Sequence, residues 1–279
     1  MAKKSLTKHY LNQLEYKLFE IKKYIIQRVT ASYNKEEKPV VFVAGVQRSG
    51  TNMMMDVIER SYETDVYHER DIRAFDNYQM RPVAVIRELY NNSCAPVFVI
   101  KTLCELQDLT QLMHDFSPSK AVWVLRDYND VVNSMLVSFN NQAEQVKRIA
   151  KYRTSDGWLS AGMSDETYSA IKELAHDGLD DASAAALSWY FRNILFFEQG
   201  FDRNVAIRLV KYERLVSNAE TEFNKLFDFL NLKYSKRISS KVFSSSIRRK
   251  SVPVIEQPIR ILCDKLTQRF ETVLENQDR

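Results

Sequence analysis

Val40-Val41-Phe42-Val43-Ala44-Gly45-Val46-Gln47-Arg48-Ser49-Gly50-Thr51-Asn52-Met53-Met54-Met55-Asp56-Val57-Ile58 is the stretch that decides the fold. A β-branched apolar run breaks at a loop bounded by Gly45 and Gly50 and resumes with helical spacing, so the sequence predicts strand, tight loop and helix. That order aims the loop amides and a helix N-terminus at one point, which is an anion site. Arg48 and Ser49 lie inside the loop and add a cation and a hydroxyl. The expected ligand is phosphate-like.

A nucleoside-triphosphate loop reads Gly, four residues, Gly, Lys, then Ser or Thr. Gly45 and Gly50 keep that spacing, but Thr51 stands at the Lys position and Asn52 at that of the magnesium-holding hydroxyl. An ATP site with magnesium is therefore disfavoured. Arg48, a planar fork suited to oxyanions, is the cation left in the loop. The bland alternative is a ligand-free glycine-rich turn, and the coincidence of strand, glycine spacing, Arg and helix weighs against it.

At 279 residues the chain fits one large domain, or a domain with an appendage, and can bury a substantial core. With 40 basic and 36 acidic residues the net charge is +4, too mild to make nucleic acid the main partner but compatible with anionic small ligands. Cys94, Cys104 and Cys263 form no metal-ligand spacing and are odd in number, which suits a reducing interior. No apolar run approaches the ~18 residues of a membrane span, and the Lys-containing start lacks the apolar core of a signal peptide. The expectation is a cytoplasmic protein.

Leu11, Leu14, Leu18, Ile21 and Ile25 recur at alternating spacings of three and four, so residues 5–31 read as an amphipathic helix. Its stripe needs a partner: the chain's own core, a second copy, or an anionic membrane surface that would make the protein membrane-peripheral. A polar stretch from Tyr33 to Lys38, followed by Pro39, reads as linker, which divides the chain into residues 1–38 and a domain over 39–279. Within that domain Ala95–Thr102, Lys120–Arg126 and Val205–Lys211 are further strand-length apolar runs, each followed by helical spacing. The rhythm predicts an α/β fold with a central parallel sheet flanked by helices and a ligand at the strands' carboxyl ends. Residues 140–200 carry helical patterns and no convincing strand, and are read as a helical insertion beside the site.

Two more segments carry chemistry. In Val122-Trp123-Val124-Leu125-Arg126-Asp127-Tyr128-Asn129-Asp130-Val131-Val132-Asn133-Ser134 an Arg ends a strand and Ser134 follows about two helical turns into the next helix, a pair able to clasp a second phosphate. An Arg at a strand end also serves as an ordinary ion-pair partner. In Leu209-Val210-Lys211-Tyr212-Glu213-Arg214, Tyr212 is placed either to stack on a purine or to pack in the core. The basic cluster Ser246-Ile247-Arg248-Arg249-Lys250-Ser251 is either a loop folding over the ligand or an exposed turn.

In this order the segments resemble the sulfotransferase family that uses 3′-phosphoadenosine 5′-phosphosulfate, over roughly residues 38–275. The resemblance implies a P-loop nucleoside-phosphate-kinase-like fold and no metal. It makes Arg48, Ser49, Gly50, Thr51 and Asn52 the 5′-phosphosulfate loop, Arg126 and Ser134 the 3′-phosphate pair, and Tyr212 part of the tyrosine-acidic segment. Ser246 and Arg248 would fall in the closing loop over the 3′-phosphate. In the family's cytosolic small-molecule branch the second strand ends Lys-Thr-His, the His being the base; here Lys101-Thr102 is followed by Leu103. The branch with Arg-Ser-Gly-Thr in the loop, which includes tyrosylprotein and several carbohydrate sulfotransferases, takes its base from a Glu after the first helix. Glu69, which follows Arg48 by 21 residues, matches that placement, with His68 the substitute base.

Sulfuryl transfer then implies in-line attack by a hydroxyl of a carbohydrate, lipid or other small acceptor, with Glu69 taking the proton. Arg48 and the loop amides would stabilise the leaving oxygen, and Lys101 would help neutralise the sulfuryl group, although Lys101 and Glu69 are each also readable as ordinary ion-pair partners. Phe75, Tyr78, Arg73, Arg81 and the insertion are candidates for the acceptor wall. The rival readings are an ATP-dependent phosphotransferase needing magnesium, and a non-catalytic nucleotide-binding or membrane-docking protein working through residues 5–31.

Overall fold

The computed structural model describes residues 16–29, 37–243, 247 and 250–278. A helix over residues 16–29 (α1) precedes β1 (Val40–Ala44), α2 (Thr51–Glu59), β2 (Thr64–Tyr67), β3 (Phe75–Asp76), β4 (Gln79–Met80), α3 (Val83–Asn92) and β5 (Val97–Thr102). Then come α4 (Leu109–Asp115), β6 (Ser119–Leu125), α5 (Tyr128–Ser138), α6 (Gln142–Lys151), α7 (Asp165–Leu174), α8 (Asp181–Asn193) and α9 (Leu195–Glu198). The chain closes with β7 (Ile207–Lys211), α10 (Tyr212–Ser217), α11 (Ala219–Phe229), α12 (Lys236–Ser239) and α13 (Gln257–Gln277).

Five strands form one parallel sheet in the order β2-β5-β1-β6-β7, while β3 and β4 make a separate hairpin. β1, the strand feeding the loop, is central. Val43 pairs with Lys101 on one side and Val122 on the other, so the ends of three strands reach the same level. Side chains alternate between two faces, as a pleated strand requires. Val40, Phe42, Ala44, Phe98, Ile100, Trp123 and Leu209 pack with α5, α8 and α13, whereas Val41, Val43, Val99, Val122 and Val124 pack with Met54, Met55, Val57 and Ile58 of α2 and Phe223, Leu226 and Phe227 of α11. Each fully buried side chain of this size contributes about 1.5–3 kcal/mol of transfer free energy. The expected α/β architecture is present, and α6 to α9 supply the helical insertion.

Boundaries shift slightly from the sequence expectation. β6 ends at Leu125, so Arg126 lies just beyond it; Tyr212 opens α10 rather than closing a strand. The edge strand β2 and the hairpin were not foreseen.

α1 packs on its own domain by the face opposite its apolar stripe. Lys23 and Gln27 are the buried side chains: Lys23 donates to the Glu59 carbonyl and to Thr64 Oγ1 at 3.3 Å, and Gln27 donates to the carbonyls of Tyr62 at 3.0 Å and Thr64 at 2.9 Å. Leu18, Ile21 and Ile25, part of the apolar stripe, point away from the domain and are exposed. Leu11 and Leu14 lie outside the described residues. No helix among the described residues is long and apolar enough to cross a membrane.

Candidate active site

The loop after β1 adopts the conformation its glycines permit. Gly45 has φ 146°, and a Cβ there would come within 2.7 Å of the Val124 carbonyl oxygen; Gly50 has φ 100°, and its Cβ would meet Tyr212 Cδ2 at 2.3 Å. Close approach of β6 and Tyr212 to the loop backbone therefore depends on the missing side chains. Arg48, between them, is left-handed at φ 67°. A non-glycine residue held there stores about 1 kcal/mol or more, which is typical of ligand-binding turns. Ser49 N and Oγ both donate to the Val46 carbonyl, at 3.2 and 2.7 Å, and close the turn.

α2 begins at Thr51 with no side-chain cap and no acidic residue in its first turn. Its leading amides and positive dipole end are thus directed at the loop without a built-in anion. Asp127, by contrast, caps α5 by accepting from the amides of Asn129 and Asp130, a signal present in the sequence as Asp preceding a helix.

The residues assigned to the two phosphates meet. Arg48 Nε donates to Ser134 Oγ at 2.8 Å, and Arg126 Nη1 donates to the Arg48 carbonyl at 3.2 Å. Arg126 also lies 3.7 Å from Asp130 and 4.6 Å over the Tyr212 ring. Tyr212 is 7% exposed, clasped between Gly50 and Arg126, so it joins the site through packing. Two further fastenings hold the site: Glu213 Oε1 accepts from the Asp127 amide at 3.1 Å, its carboxyl pushed up by burial, and Trp189 Nε1, which the sequence did not single out, donates to the Arg126 carbonyl at 3.2 Å.

On the other side of the α2 start, the ammonium of Lys101 is 1% exposed, pairs with Glu69 and donates to Asn52 Oδ1 at 2.6 Å. Burial lowers the Lys101 pKa and the charge of Glu69 opposes the shift. The pair places the Glu69 carboxylate beside the first turn of α2. His68 is turned away: its Nε2 is 3.5 Å from Glu59 Oε2. Asp56, Glu59 and His68 bring their potential ligand atoms within 4.8 Å of one another. Burial lowers the His68 pKa, but its contact with Glu59 outweighs that and holds it above its ordinary value.

Ser246 and Arg248 lie outside the described residues. The chain just after them returns to the site, where the Ser251 carbonyl accepts from Asn133 Nδ2 at 3.0 Å on α5. Of the expected acceptor wall, Phe75 is buried, Arg73 pairs with Asp71, Arg81 Nε donates to the Ile72 carbonyl, and Tyr78 is exposed. A narrow cavity beside the loop is lined instead by Val46, Gln47, Leu103, Trp158 and Ser188, the last two from the insertion.

A parallel sheet whose central strand runs into a glycine-bounded loop and an uncapped helix, with two arginines converging there, defines a P-loop-like α/β protein with the geometry of an anion site. The chain belongs to the sulfotransferase domain family, whose pattern matches residues 38–251. Its members transfer sulfuryl groups. Among solved structures it is similar to the sulfotransferase domain of the Synechococcus PCC 7002 olefin synthase, with 13% identity over 86% of this chain and 96% of that one, TM-score 0.51. A sulfotransferase from Alicyclobacillus acidocaldarius shares 13% identity over 85% and 92%, TM-score 0.46. Mouse sulfotransferase SULT7A1, complexed with PAP, shares 16% over 87% and 85%, TM-score 0.44. No curated protein matches this sequence.

Proposed function

We propose that this protein moves a sulfuryl group from 3′-phosphoadenosine 5′-phosphosulfate to a hydroxyl of a carbohydrate, lipid or other small acceptor, with Glu69 as general base. The carrying observation is the Lys101 bridge from Asn52, in the first turn of α2, to the Glu69 carboxylate. It sets a proton acceptor and a fixed cation beside the helix end where the donor's sulfonate would lie.

The donor fits the residues present. Arg48 and the amides of Gly50 to Asn52 would hold its 5′ end, Arg126 and Ser134 its 3′-phosphate, and Tyr212 its base; the donor supplies the activated sulfur–oxygen bond. Arg48 and the α2 dipole oppose negative charge on the departing phosphate oxygen, and one preorganised donor of this kind is worth about 3–4 kcal/mol. Glu69 accepts the acceptor's hydroxyl proton as the new bond forms. Asn52 stands where an ATP-binding loop places its magnesium-holding hydroxyl, and its side-chain oxygen here meets the Lys101 ammonium. A protein cation thus occupies the neighbourhood that a divalent ion would serve, which supports sulfuryl over phosphoryl transfer.

Transfer of labelled sulfate, screened over glycan, lipid and phenolic acceptors, tests the reaction and the acceptor together. Thermal stabilisation by adenosine 3′,5′-bisphosphate but not by ADP with magnesium is the expected accompaniment. The opposite ligand preference overturns the reading in favour of a phosphotransferase.

A further inference from the structure

α1 carries its apolar residues outward. Leu18, Ile21 and Ile25 are 58%, 57% and 55% exposed, and none of the described residues covers them, while the helix is fastened to its domain through Lys23 and Gln27. This inverts the usual arrangement, in which the apolar stripe faces the core. Burial pushes Lys23 down to about 8, so the anchoring face bears a desolvation cost while the apolar face is left to water. Such an orientation is explained if something else receives the stripe.

At about 100° per residue, Leu18, Ile21 and Ile25 span an arc of about 60°, and Lys23 and Gln27 lie nearly opposite. Lys22 falls about 40° beyond one edge of the arc and Lys17 about 40° beyond the other. Cations on both shoulders of an apolar stripe match a surface whose headgroups are negative and whose interior is hydrocarbon. Tyr24, 53% exposed, adds an amphipathic ring at the margin.

The same two lysines argue against a second copy. With Leu18 and Ile25 at a positions and Ile21 at d, Lys17 is at g and Lys22 at e, so a parallel pair sets each Lys17 against the partner helix's Lys22. Beside α1 a groove of about 1020 Å³ runs between Phe19 and Ile26 on the helix and a mixed-charge wall of the domain, where Lys233, Arg237 and Lys241 stand with Asp56, Glu59 and Glu63.

We infer that the outward face of α1 docks this protein on an anionic lipid surface, with Leu18, Ile21 and Ile25 entering the headgroup boundary and Lys17 and Lys22 meeting the lipid charges. This rests on the helix alone and stands or falls apart from sulfuryl transfer. The full chain is sedimented with phosphatidylcholine vesicles and with vesicles containing roughly a quarter phosphatidylserine. Binding is expected to the second kind only, and to weaken between about 0.1 and 0.5 M salt as screening shortens.

Each cation contributes about fivefold at such a surface, so Lys17→Ala with Lys22→Ala is expected to cost roughly 30-fold. Leu18→Gln with Ile21→Gln and Ile25→Gln is expected to abolish binding. Unchanged melting temperatures of these variants show that the fold is retained. Equal or absent binding to both vesicles overturns the inference, as does binding unaffected by either set of substitutions. A lipid-free dimer in the ultracentrifuge that the triple variant dissociates assigns the stripe to a second copy instead.

Discussion

Lys101, at the end of β5, forms an ion pair with Glu69, 32 residues earlier in the chain. The pair joins the sheet to the segment after β2, and Asn52 joins it to the anion loop. Glutamine at position 69 keeps an oxygen for Lys101 but no longer takes a proton. Glu69→Gln is therefore expected to bind adenosine 3′,5′-bisphosphate as wild type does while kcat falls about 100-fold to 10,000-fold. Equal turnover in the two proteins removes Glu69 from the chemistry.

Lys101→Met tests the structural half of the same pair. It strands a carboxylate whose side chain is 15% exposed. Breaking a buried pair from one side costs about 3–5 kcal/mol, and the water left at Glu69 brings the expected loss to about 2–3 kcal/mol. In a chain of this length that is a fall in Tm of about 5–10 °C, read by calorimetry. A Tm at or above that of wild type shows that the pair is not a stabilising contact.

Gly50 and Tyr212 make a second falsifiable contact. Gly50→Ala places a methyl carbon 2.3 Å from the ring, at a backbone φ of 100° that alanine disfavours. The ring must move, and Arg126 stacked on it moves too. Destabilisation of about 1–3 kcal/mol is expected, with adenosine 3′,5′-bisphosphate affinity lowered at least about tenfold. Wild-type affinity, by calorimetric titration, refutes the coupling between loop and ring.

Arg126 itself contacts the loop carbonyl, Asp130 and the Tyr212 face at once. A lysine supplies the charge but not the plane. Arg126→Ala and Arg126→Lys are both expected to weaken adenosine 3′,5′-bisphosphate by about 10-fold to 100-fold, lysine restoring only part of the loss. Full rescue by lysine reduces the role of Arg126 to a point charge.

How much of this was legible depended on what each pattern encodes. β1, β5 and β6 are buried or nearly so and carry continuous apolar runs, while β7 keeps Ile207, Leu209 and Val210 around Arg208. β2, with four residues reading Thr-Asp-Val-Tyr at the sheet edge, gave no such run. Loop, Arg126 and Ser134 were legible because their chemistry is local to short segments. The Lys101–Glu69 contact was not, since nothing in either segment specifies the other. The stripe of α1 was seen, but periodicity reports that a helix has an apolar face, not which way it turns; Lys23 and Gln27 decided that through hydrogen bonds to backbone carbonyls.

His68 and Glu59 supply a pH test that also separates the two candidate bases. Burial disfavours the charged forms of both, yet their mutual contact wins: His68 is raised above 6.5 and Glu59 lowered below 4.5. The His68 contribution to stability is fully present below about pH 6.5 and is lost as pH rises through its higher folded value. The Glu59 contribution is present above about pH 4.5 and is lost as pH falls through its lower folded value. The two overlap between about pH 4.5 and 6.5. The stability gap between wild type and His68→Gln, read from thermal melting, is therefore expected to be widest there, at about 0.5–1 kcal/mol for a pair with this much water access, and to close toward pH 8. Because the imidazole faces Glu59 rather than Lys101, His68→Gln is expected to keep kcat within about tenfold of wild type, well short of the loss for Glu69→Gln. A gap that widens toward pH 8 refutes the ion pair, and a kcat loss as deep as that of Glu69→Gln moves the base to His68.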